Sequence, residues 1–381
     1  MYDYEHPALS SYLNRFPARQ YIVESFKRKF FLRFAACFGQ FLMAHDMNFS
    51  YRNLPLRLFE MTRYSFRLEQ SGELCGLKRL RAFTMPDCHA FVKDYVQGKE
   101  EMLRRFDVAY HIMKGIGFAM PDDFELGIRM VKEFYDEHKD IPNELINKWR
   151  KPALVEMWDK RFFYFSMKYE FNFVDAMNKA TGLVTDQFDV ENAERYNINF
   201  IDEDGKKKHP IILHMSPSGA IERDMYALLE KAWMQEQKTG KAPMLPVWLA
   251  PEQVRLLPVA DRHYDFVKEI AQKLEKSNIR VGIDDRQMTV PKKVYQAKMD
   301  WVPYIIVIGD REQSGKTLPV VIREESKSNA DKLLNMSLEE FDARIKKESH
   351  GMPFFALSLP RELTKRPVFV AWSEEKQDVE K

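Results

Sequence analysis

Between Phe66 and Phe91 the chain reads FRLEQSGELCGLKRLRAFTMPDCHAF. At the strand period of two, Arg67 and Glu69 share one face of a first strand. After a Gly-containing loop at 70–78, the side chains of Arg79, Arg81, Phe83, Met85, Asp87 and His89 share one face of a second strand. The opposite face of that second strand carries Leu80, Ala82, Thr84, Cys88 and Ala90, small or apolar groups suited to packing against helices. The polar face offers guanidinium groups for a polyphosphate, a ring to lie against adenine, a carboxylate for an ammonium group and an imidazole for a metal. On alternation alone, an ordinary solvated strand face is the simpler reading.

The elements that must position these residues read as α+β. Residues 163–173 alternate between Phe163, Phe165, Met167, Tyr169, Phe171 and Phe173 on one side and Tyr164, Ser166, Lys168, Glu170 and Asn172 on the other. That pattern is an antiparallel strand with one packed face. Two amphipathic helices are expected before it, one with the stripe Met102, Phe106, Ala109, Tyr110 and Met113, the other with Phe124, Ile128, Val131 and Phe134. Strands at 185–190 and 209–214 flank a DEDG turn. The sequence SPSG at 216–219 then opens a helix with Ile221, Met225, Leu228, Leu229, Ala232 and Trp233 on one face. Residues 1–236 are therefore expected to form an antiparallel sheet backed by helices. A polar, Lys/Gly/Pro-rich linker follows at 237–244. Residues 245–381 alternate strand and helix, with runs such as YIIVIG that suit strands of a small α/β domain buried on both faces. In that half Ser337 and Glu340 form a capping-box pattern.

A length of 381 residues suits two or three domains. With 59 basic and 57 acidic residues the net charge is +2, so any nucleic-acid contact must use local basic faces. Cys37, Cys75 and Cys88 are too few for a disulfide framework and point to a reducing compartment. No apolar run approaches the ~18 residues of a membrane span, so a soluble cytoplasmic protein is expected, with a charged tail at 373–381. No G-x-S-x-G, P-loop or Rossmann fingerprint is present, and no side-chain nucleophile stands out.

The Phe66–Glu69 run, the loop and the Arg79-x-x-x-Phe83 run resemble motif 2 of the class II aminoacyl-tRNA synthetases, and RAFTMPDCHAF resembles the archaeal-type threonyl-tRNA synthetases. The resemblance implies ATP-dependent activation of L-threonine and its transfer to tRNA(Thr). Arg67 would hold the α-phosphate and the substrate carboxylate, Glu69 the adenine amino group, Phe83 the adenine ring, and Arg79 the triphosphate region. The segment Gly219–Arg223 resembles motif 3, whose arginine, here Arg223, binds the γ-phosphate at a helix start. Asp87 would take the threonine ammonium group, Tyr164 and Gln187 would line the threonine pocket, and Thr185 would lie beside ATP. The run LRFAACFGQF places Cys37 at the family's cysteine position, so that Cys37, His89 and His214 would bind Zn²⁺ for amino-acid selection. These three are too far apart in sequence to form a local zinc signature, and singly each suits a structural role as well. Mg²⁺ would accompany ATP.

VPYIIVIGDRE, after PVWLAPEQV, resembles the anticodon-binding domain shared by the threonyl, prolyl, histidyl and glycyl enzymes, and LPRELTKRPVFV resembles the archaeal threonyl tail. Anticodon contacts would fall to Glu312, with Gln287 and Arg323, while Lys292, Lys293 and Lys298 supply local charge for phosphates. The chain also departs from the family. Met85 stands where bacterial relatives carry Gln, and Pro291 and Tyr295 where they carry Gly and Arg. It is expected to lack the N-terminal editing domain and to begin just after motif 1, so that a separate protein would edit errors. The complete protein is expected to be a homodimer. The alternative reading is a non-catalytic or truncated paralogue that binds tRNA or regulates.

Overall fold

The alternation at 163–173 becomes a strand because Met167, Tyr169, Phe171 and Phe173 bury one face completely or nearly so. The computed structural model describes residues 1–13 and 20–368, except the side chains of Thr62, Tyr64 and Ser65, and the charged tail at 373–381 lies outside them. The chain divides into two units, Met1–Lys231 and Ala232–Lys381.

The first unit begins with β1 (Tyr2–Asp3), α1 (Pro7–Leu13), β2 (Ile22–Ser25), β3 (Arg28–Phe31), α2 (Cys37–Asp46), β4 (Leu56–Phe66), β5 (Ala82–Val92) and α3 (Tyr95–Gly115). It continues with β6 (Phe124–Val131), α4 (Lys132–His138), α5 (Asp140–Trp149), β7 (Ala153–Trp158), β8 (Phe165–Val174) and β9 (Ala180–Asp189). Then come α6 (Asn192–Arg195), β10 (Phe200–Ile201), β11 (Lys207–Lys208), β12 (Ile211–Ser216) and α7 (Ile221–Thr239). Seven strands form one sheet in the order β4-β5-β12-β9-β8-β6-β7. Its neighbours are antiparallel except β6 and β7.

Helices α3 and α5 back this sheet through aromatic contacts. The Phe106 ring lies 5.3 Å from Tyr169 and 5.1 Å from Phe171, and Trp149 lies 4.9 Å from Phe171. Each such ring contributes about 1.5–3 kcal/mol by burial alone. Among them sits Arg105 of α3, nearly fully buried. It donates to the Cys88 carbonyl of β5 at 2.8 Å and the Leu213 carbonyl of β12 at 3.5 Å, and pairs with the Asp186 carboxylate of β9 at 3.0 Å. On the other face, Tyr12, Phe31, Phe38 and Phe41 pack α1, β3 and α2 into a cluster that includes Cys37 and Phe91.

Three local expectations are corrected. The second helix expected before residue 163 is the strand β6: Phe124, Leu126, Ile128 and Met130 are buried at period two, and only Lys132–His138 is helical. The spacing of Phe124, Ile128 and Val131 satisfied a helical stripe by coincidence. Arg67 and Glu69 lie just beyond the end of β4, and Arg79 and Arg81 just before β5, because a 3₁₀ turn at Gly76–Lys78 closes the loop between them. One bond of the ladder still bridges the gap, from Arg67 N to Arg81 O at 2.8 Å. Finally, α7 buries Asp224, Ala227, Leu228 and Ala232, whereas Met225, Leu229 and Trp233 are exposed. The helix also runs on to Thr239, through the polar residues that suggested a linker.

The second unit contains β13 (Val254–Pro258), α8 (Tyr264–Lys276), β14 (Val281–Ile283), α9 (Val290–Met299) and β15 (Tyr304–Ile308). It closes with α10 (Asp310–Ser314), β16 (Leu318–Ile322), β17 (Leu333–Met336) and α11 (Leu338–Glu348). The sheet order is β14-β13-β15-β16-β17, with β14, β13 and β15 parallel and the rest antiparallel. The β13 and β15 runs bury both faces, as their continuous apolar composition requires. Ser337 caps α11: Glu340 N donates to its Oγ at 3.2 Å, and its own N donates to the Glu340 carboxylate at 2.8 Å.

Arg105→Met should lower the unfolding temperature of the first unit by the equivalent of about 3 kcal/mol, because it leaves Asp186 buried without its cation. Differential scanning calorimetry reads this directly. Burial already pushes the Asp186 carboxyl up to about 7 against the pull of Arg105, so the variant's deficit should be smaller at pH 5 than at pH 8.

Candidate active site

The pairing of the central strands sets the site. His89 of β5 lies opposite His214 of β12, and His214 lies opposite Gln187 of β9. Residues directly opposite each other share a face, so these three side chains form a row. Two residues along each strand stand Asp87, Ser216 and Thr185, with Ser216 opposite Thr185. Helix α2 brings Cys37 over the first row. Its Sγ is 3.1 Å from His89 Nε2 and 3.5 Å from His214 Nδ1, and all three residues are buried.

The far nitrogen of each imidazole is engaged. His89 Nδ1 is 2.7 Å from Gln40 Oε1, and His214 Nε2 is 2.6 Å from Asp189 Oδ2. Gln40 and Asp189 have acceptor oxygens there, so each ring donates its proton outward and turns a lone pair toward Cys37. Asp189 is itself fixed by the backbone N–H groups of Glu191 and Asn192, both at 2.9 Å. Burial pushes His89 well below its ordinary pKa, with His214 and Arg105 adding to the effect, so its ring is neutral. Burial, helped by Asp87, also pushes the Cys37 thiol up. A divalent cation reverses the balance at the thiol. One sulfur and two imidazoles with oriented outer nitrogens fit zinc.

Beside this group Tyr164 lies with its ring 5.2 Å from that of His214. Among the described residues, Thr185 Oγ1 and Gln187 Oε1 are buried without a hydrogen-bond partner. Buried polar atoms are rarely left so, and those facing a site are met by what binds there. The structure thus gathers Cys37, His89, His214, Asp87, Tyr164, Thr185 and Gln187 on one face.

The remaining predicted residues lie around the loop and the start of α7. Glu69 is buried and accepts from Arg79 Nη2 at 2.8 Å. Phe83 lies on β5, opposite Ser65. Arg223, in the first turn of α7, donates to the Lys78 and Gly182 carbonyls at 3.0 and 3.2 Å. Among the described residues it forms no ion pair. Burial lowers its pKa, and the charges of Arg67 and Arg79 push the same way, so three guanidinium groups crowd together. Arg79 is offset by Glu69 and Glu73, so of the three it is Arg223 that is left without a carboxylate ion pair among the described residues.

Sequence spacing had not singled out the residues that hold this arrangement. Gln40 follows Cys37 by one helical turn and Asp189 follows Gln187 by two strand positions, so each shares its partner's face; that periodicity was the available signal. Glu222, next to Arg223, accepts the Thr84 backbone N–H at 2.9 and 3.1 Å and pins α7 to β5. Gly219 has φ +81°, and a Cβ there would meet the Leu183 carbonyl oxygen at 2.3 Å, so only glycine lets α7 start against β9. In the second unit, Gln287 follows β14 and donates to Asp261 at 3.1 Å. Glu312 folds back to cap α10 at Gly309 N, 2.8 Å away. Arg323 lies at the opposite end of β15, where its N donates to Pro303 O at 3.0 Å, so the structure does not bring it to the other two.

Residues 21–232 match the family described as the tRNA synthetase class II core domain (G, H, P, S and T), and residues 253–348 match the anticodon binding domain. The chain belongs to the class II tRNA synthetase family. It is 54% identical over 370 residues to the threonine–tRNA ligase of Methanosarcina mazei, covering 97% of this chain and 58% of that protein. It is 53% identical to the threonine–tRNA ligase of Thermococcus gammatolerans, again covering 97% of this chain and 58% of the relative. The chain thus spans about three fifths of the length of the curated relatives it matches. A crystal structure titled as the RNA binding domain of threonyl-tRNA synthetase from Cryptosporidium parvum superposes with a TM-score of 0.73 at 24% identity, over 92% of this chain and 84% of that one. A putative threonyl-tRNA synthetase from Aeropyrum pernix gives 0.67 at 20% identity, over 91% and 81%. These two share the fold.

Asp224 provides a test of the local electrostatics. Burial pushes its carboxyl up to about 8, against a hydrogen bond from Ser218 and the charge of Arg223. The folded pKa lies above the unfolded one, so Asp224 stabilises the fold least at high pH: its contribution falls as pH rises from about 4 to 8. Asp224→Asn should therefore raise the unfolding temperature relative to the parent at pH 8.5 and give no gain at pH 4.

Proposed function

We propose that this chain carries the amino-acid-activating and tRNA-binding regions of a threonine–tRNA ligase. The observation that carries the reading is the Cys37, His89 and His214 group, whose two imidazoles share a strand row with Gln187, an amide oxygen without a partner among the described residues. The relatives named threonine–tRNA ligase, similar along nearly the whole chain, support it.

In the first step a threonine carboxylate oxygen attacks the α-phosphorus of ATP, the bond to the bridging oxygen breaks, and pyrophosphate leaves. In the second, the terminal ribose hydroxyl of tRNA(Thr) attacks the threonyl carbonyl and AMP leaves. Neither step needs a side-chain nucleophile, so alignment and charge neutralisation supply the catalysis. Arg67 would meet the α-phosphate and the threonine carboxylate. Arg223, desolvated and lacking a carboxylate partner among the described residues, would meet the γ-phosphate, with Arg79 nearby. Mg²⁺ would enter with ATP. Phe83 would lie against adenine and Glu69 would accept from its amino group, with Thr185 close by. Asp87, Tyr164 and Gln187 would hold the amino acid. Cys37, His89 and His214 would hold one Zn²⁺, which supplies a Lewis-acid contact for the amino and hydroxyl groups of threonine. Gln287 and Glu312 would serve the anticodon from the second unit, in a tRNA contact made through local charge, whereas Arg323 lies at the other end of β15. All three cysteines are free, which fits work in a reducing cytoplasm.

Threonine-dependent exchange of pyrophosphate into ATP tests the reading. Serine, which lacks only a methyl, should be activated about 10–200-fold less efficiently, and valine, which lacks the hydroxyl, far less still. Arg67→Ala and Arg223→Ala should abolish exchange while leaving the unfolding temperature near that of the parent. A parent chain that binds tRNA yet shows no exchange would favour a non-catalytic paralogue instead.

Metal content gives a second, independent readout. Purified protein should hold close to one zinc per chain by atomic emission. Cys37→Ala should lose most of it, and Asp189→Ala should weaken retention by about 10–100-fold through the orientation of His214. Zinc undiminished in Cys37→Ala would remove the assignment.

A further inference from the structure

In the second unit, the carboxyl ends of the parallel strands β13 and β14 open onto a crevice of about 300 Å³. Its lining includes Val259, Tyr264, Asp285, Gln287 and Lys293. Ligands of α/β sheets gather at such strand ends. The Lys293 ammonium, nearly fully buried, donates to Pro258 O at 3.3 Å and Asp284 O at 2.9 Å, and so ties the two strand ends together beneath the crevice. The walls combine an aromatic ring with amide and carboxylate groups, as suits an unstacked base of single-stranded RNA.

One wall, the segment from Asp285 to Gln287, follows the short strand β14; Arg286 pairs with Asp284 at 2.6 Å and Gln287 donates to Asp261, while the Asp285 carboxylate is held by the chain's return. After α11 the chain comes back past β14. Ile283 N donates to Arg361 O at 2.9 Å, and Ile283 pairs in parallel with Glu362, which extends the sheet by one step. Clasps to α8 hold this segment: Tyr264 Oη donates to Glu362 at 3.1 Å, and Arg361 Nη1 donates to Glu275 at 3.2 Å. Arg366 anchors its far end on Glu252 at 2.6 Å. Between the clasps, Thr364 N donates to Asp285 Oδ1 at 2.9 Å and the Thr364 hydroxyl donates to Oδ2 of the same carboxylate.

We propose that residues 360–366 form a positioning strap that fixes the Asp285–Gln287 wall for an RNA base, with Thr364 as the residue that sets the wall. This rests on the reading of the second unit as a tRNA-binding region. A strap of this kind lowers the ordering cost of binding without touching the RNA, because the wall is already held in place.

The test measures binding of an anticodon stem–loop RNA of tRNA(Thr) to the full chain by fluorescence anisotropy. Thr364→Val should bind about tenfold more weakly, the order expected when a hydrogen bond to a carboxylate is removed. Thr364→Ser should restore affinity to within about twofold of the parent. The slope of log K against log salt should stay the same in both variants, since neither removes a cation. Threonine-dependent exchange should be unchanged, and any fall in unfolding temperature in Thr364→Val should be no more than about 2–4 °C and be restored in Thr364→Ser. Parent-like binding by Thr364→Val would overturn the strap, as would a loss that Ser does not rescue and that comes with a lower unfolding temperature. A parent chain that does not bind the stem–loop would instead overturn the tRNA-binding reading, and the strap with it.

Discussion

The candidate active site depends on the mutual register of three antiparallel strands, β5, β12 and β9. A slip of one residue between any two would send a side chain of the His89, His214, Gln187 row to the opposite face. Backbone ladders alone tolerate slippage where both faces are similar, but here they differ sharply. The back face carries the packed rings of Tyr169 and Phe171 and the buried Arg105–Asp186 pair, the front face the imidazoles. Arg105 touches all three strands, through two carbonyls and one carboxylate, so a slipped strand loses a charge-assisted partner as well as its packing. A buried ion pair is weak evidence for stability in itself. Its value in this fold is that one guanidinium engages all three strands at once.

Much of this was legible in the sequence, and the reasons differ by element. The β8 alternation and the α3 stripe announce themselves because packed and solvated faces alternate at their own periods. The strand β6 does not, since FELGIRMV is apolar enough to satisfy either period, and its neighbours in the sheet decide the matter. The stripe of Met225, Leu229 and Trp233 misled in the other direction: the buried face of α7 passes through Asp224 and small alanines, which a hydrophobicity pattern discounts. For the site, the residue types on β5 suggested the chemistry, but the convergence of Cys37, His89 and His214 could not be read from spacing. It exists only once two strands, β5 and β12, have paired and α2 has packed over them. Resemblance to a known family supplied what periodicity could not.

The metal-fitting group and the cation cluster are assembled by different physical means. Around Cys37, order comes from outer partners: Gln40 and Asp189 fix the two rings, and Asp189 is fixed in turn by backbone N–H groups. That chain of neutral and anionic acceptors makes the inner lone pairs coincide. Around Arg223 order comes from a backbone turn and a hydrogen-bonded pin. Gly219 lets the backbone turn against β9, and Glu222 pins the first turn of α7 to Thr84, so Arg223 arrives beside Arg67 and Arg79 despite their mutual repulsion.

That repulsion connects folding to function. Arg79 is compensated by Glu69 and Glu73, but Arg223 is partly desolvated beside like charges and has no carboxylate ion pair among the described residues, and the fold tolerates this because α7 is anchored by other contacts. The phosphate proposed for this place would find the Arg223 charge already positioned, which is the essence of electrostatic preorganisation. The same logic covers Thr185 Oγ1 and Gln187 Oε1, whose missing partners cost stability in the isolated chain and favour whatever ligand supplies them. A loop cluster that relaxed to satisfy itself would be more stable and would bind less. The register of β5, β12 and β9 fixes where Thr185 and Gln187 face, so the strand pairing sets the placement of the polar atoms left without partners among the described residues.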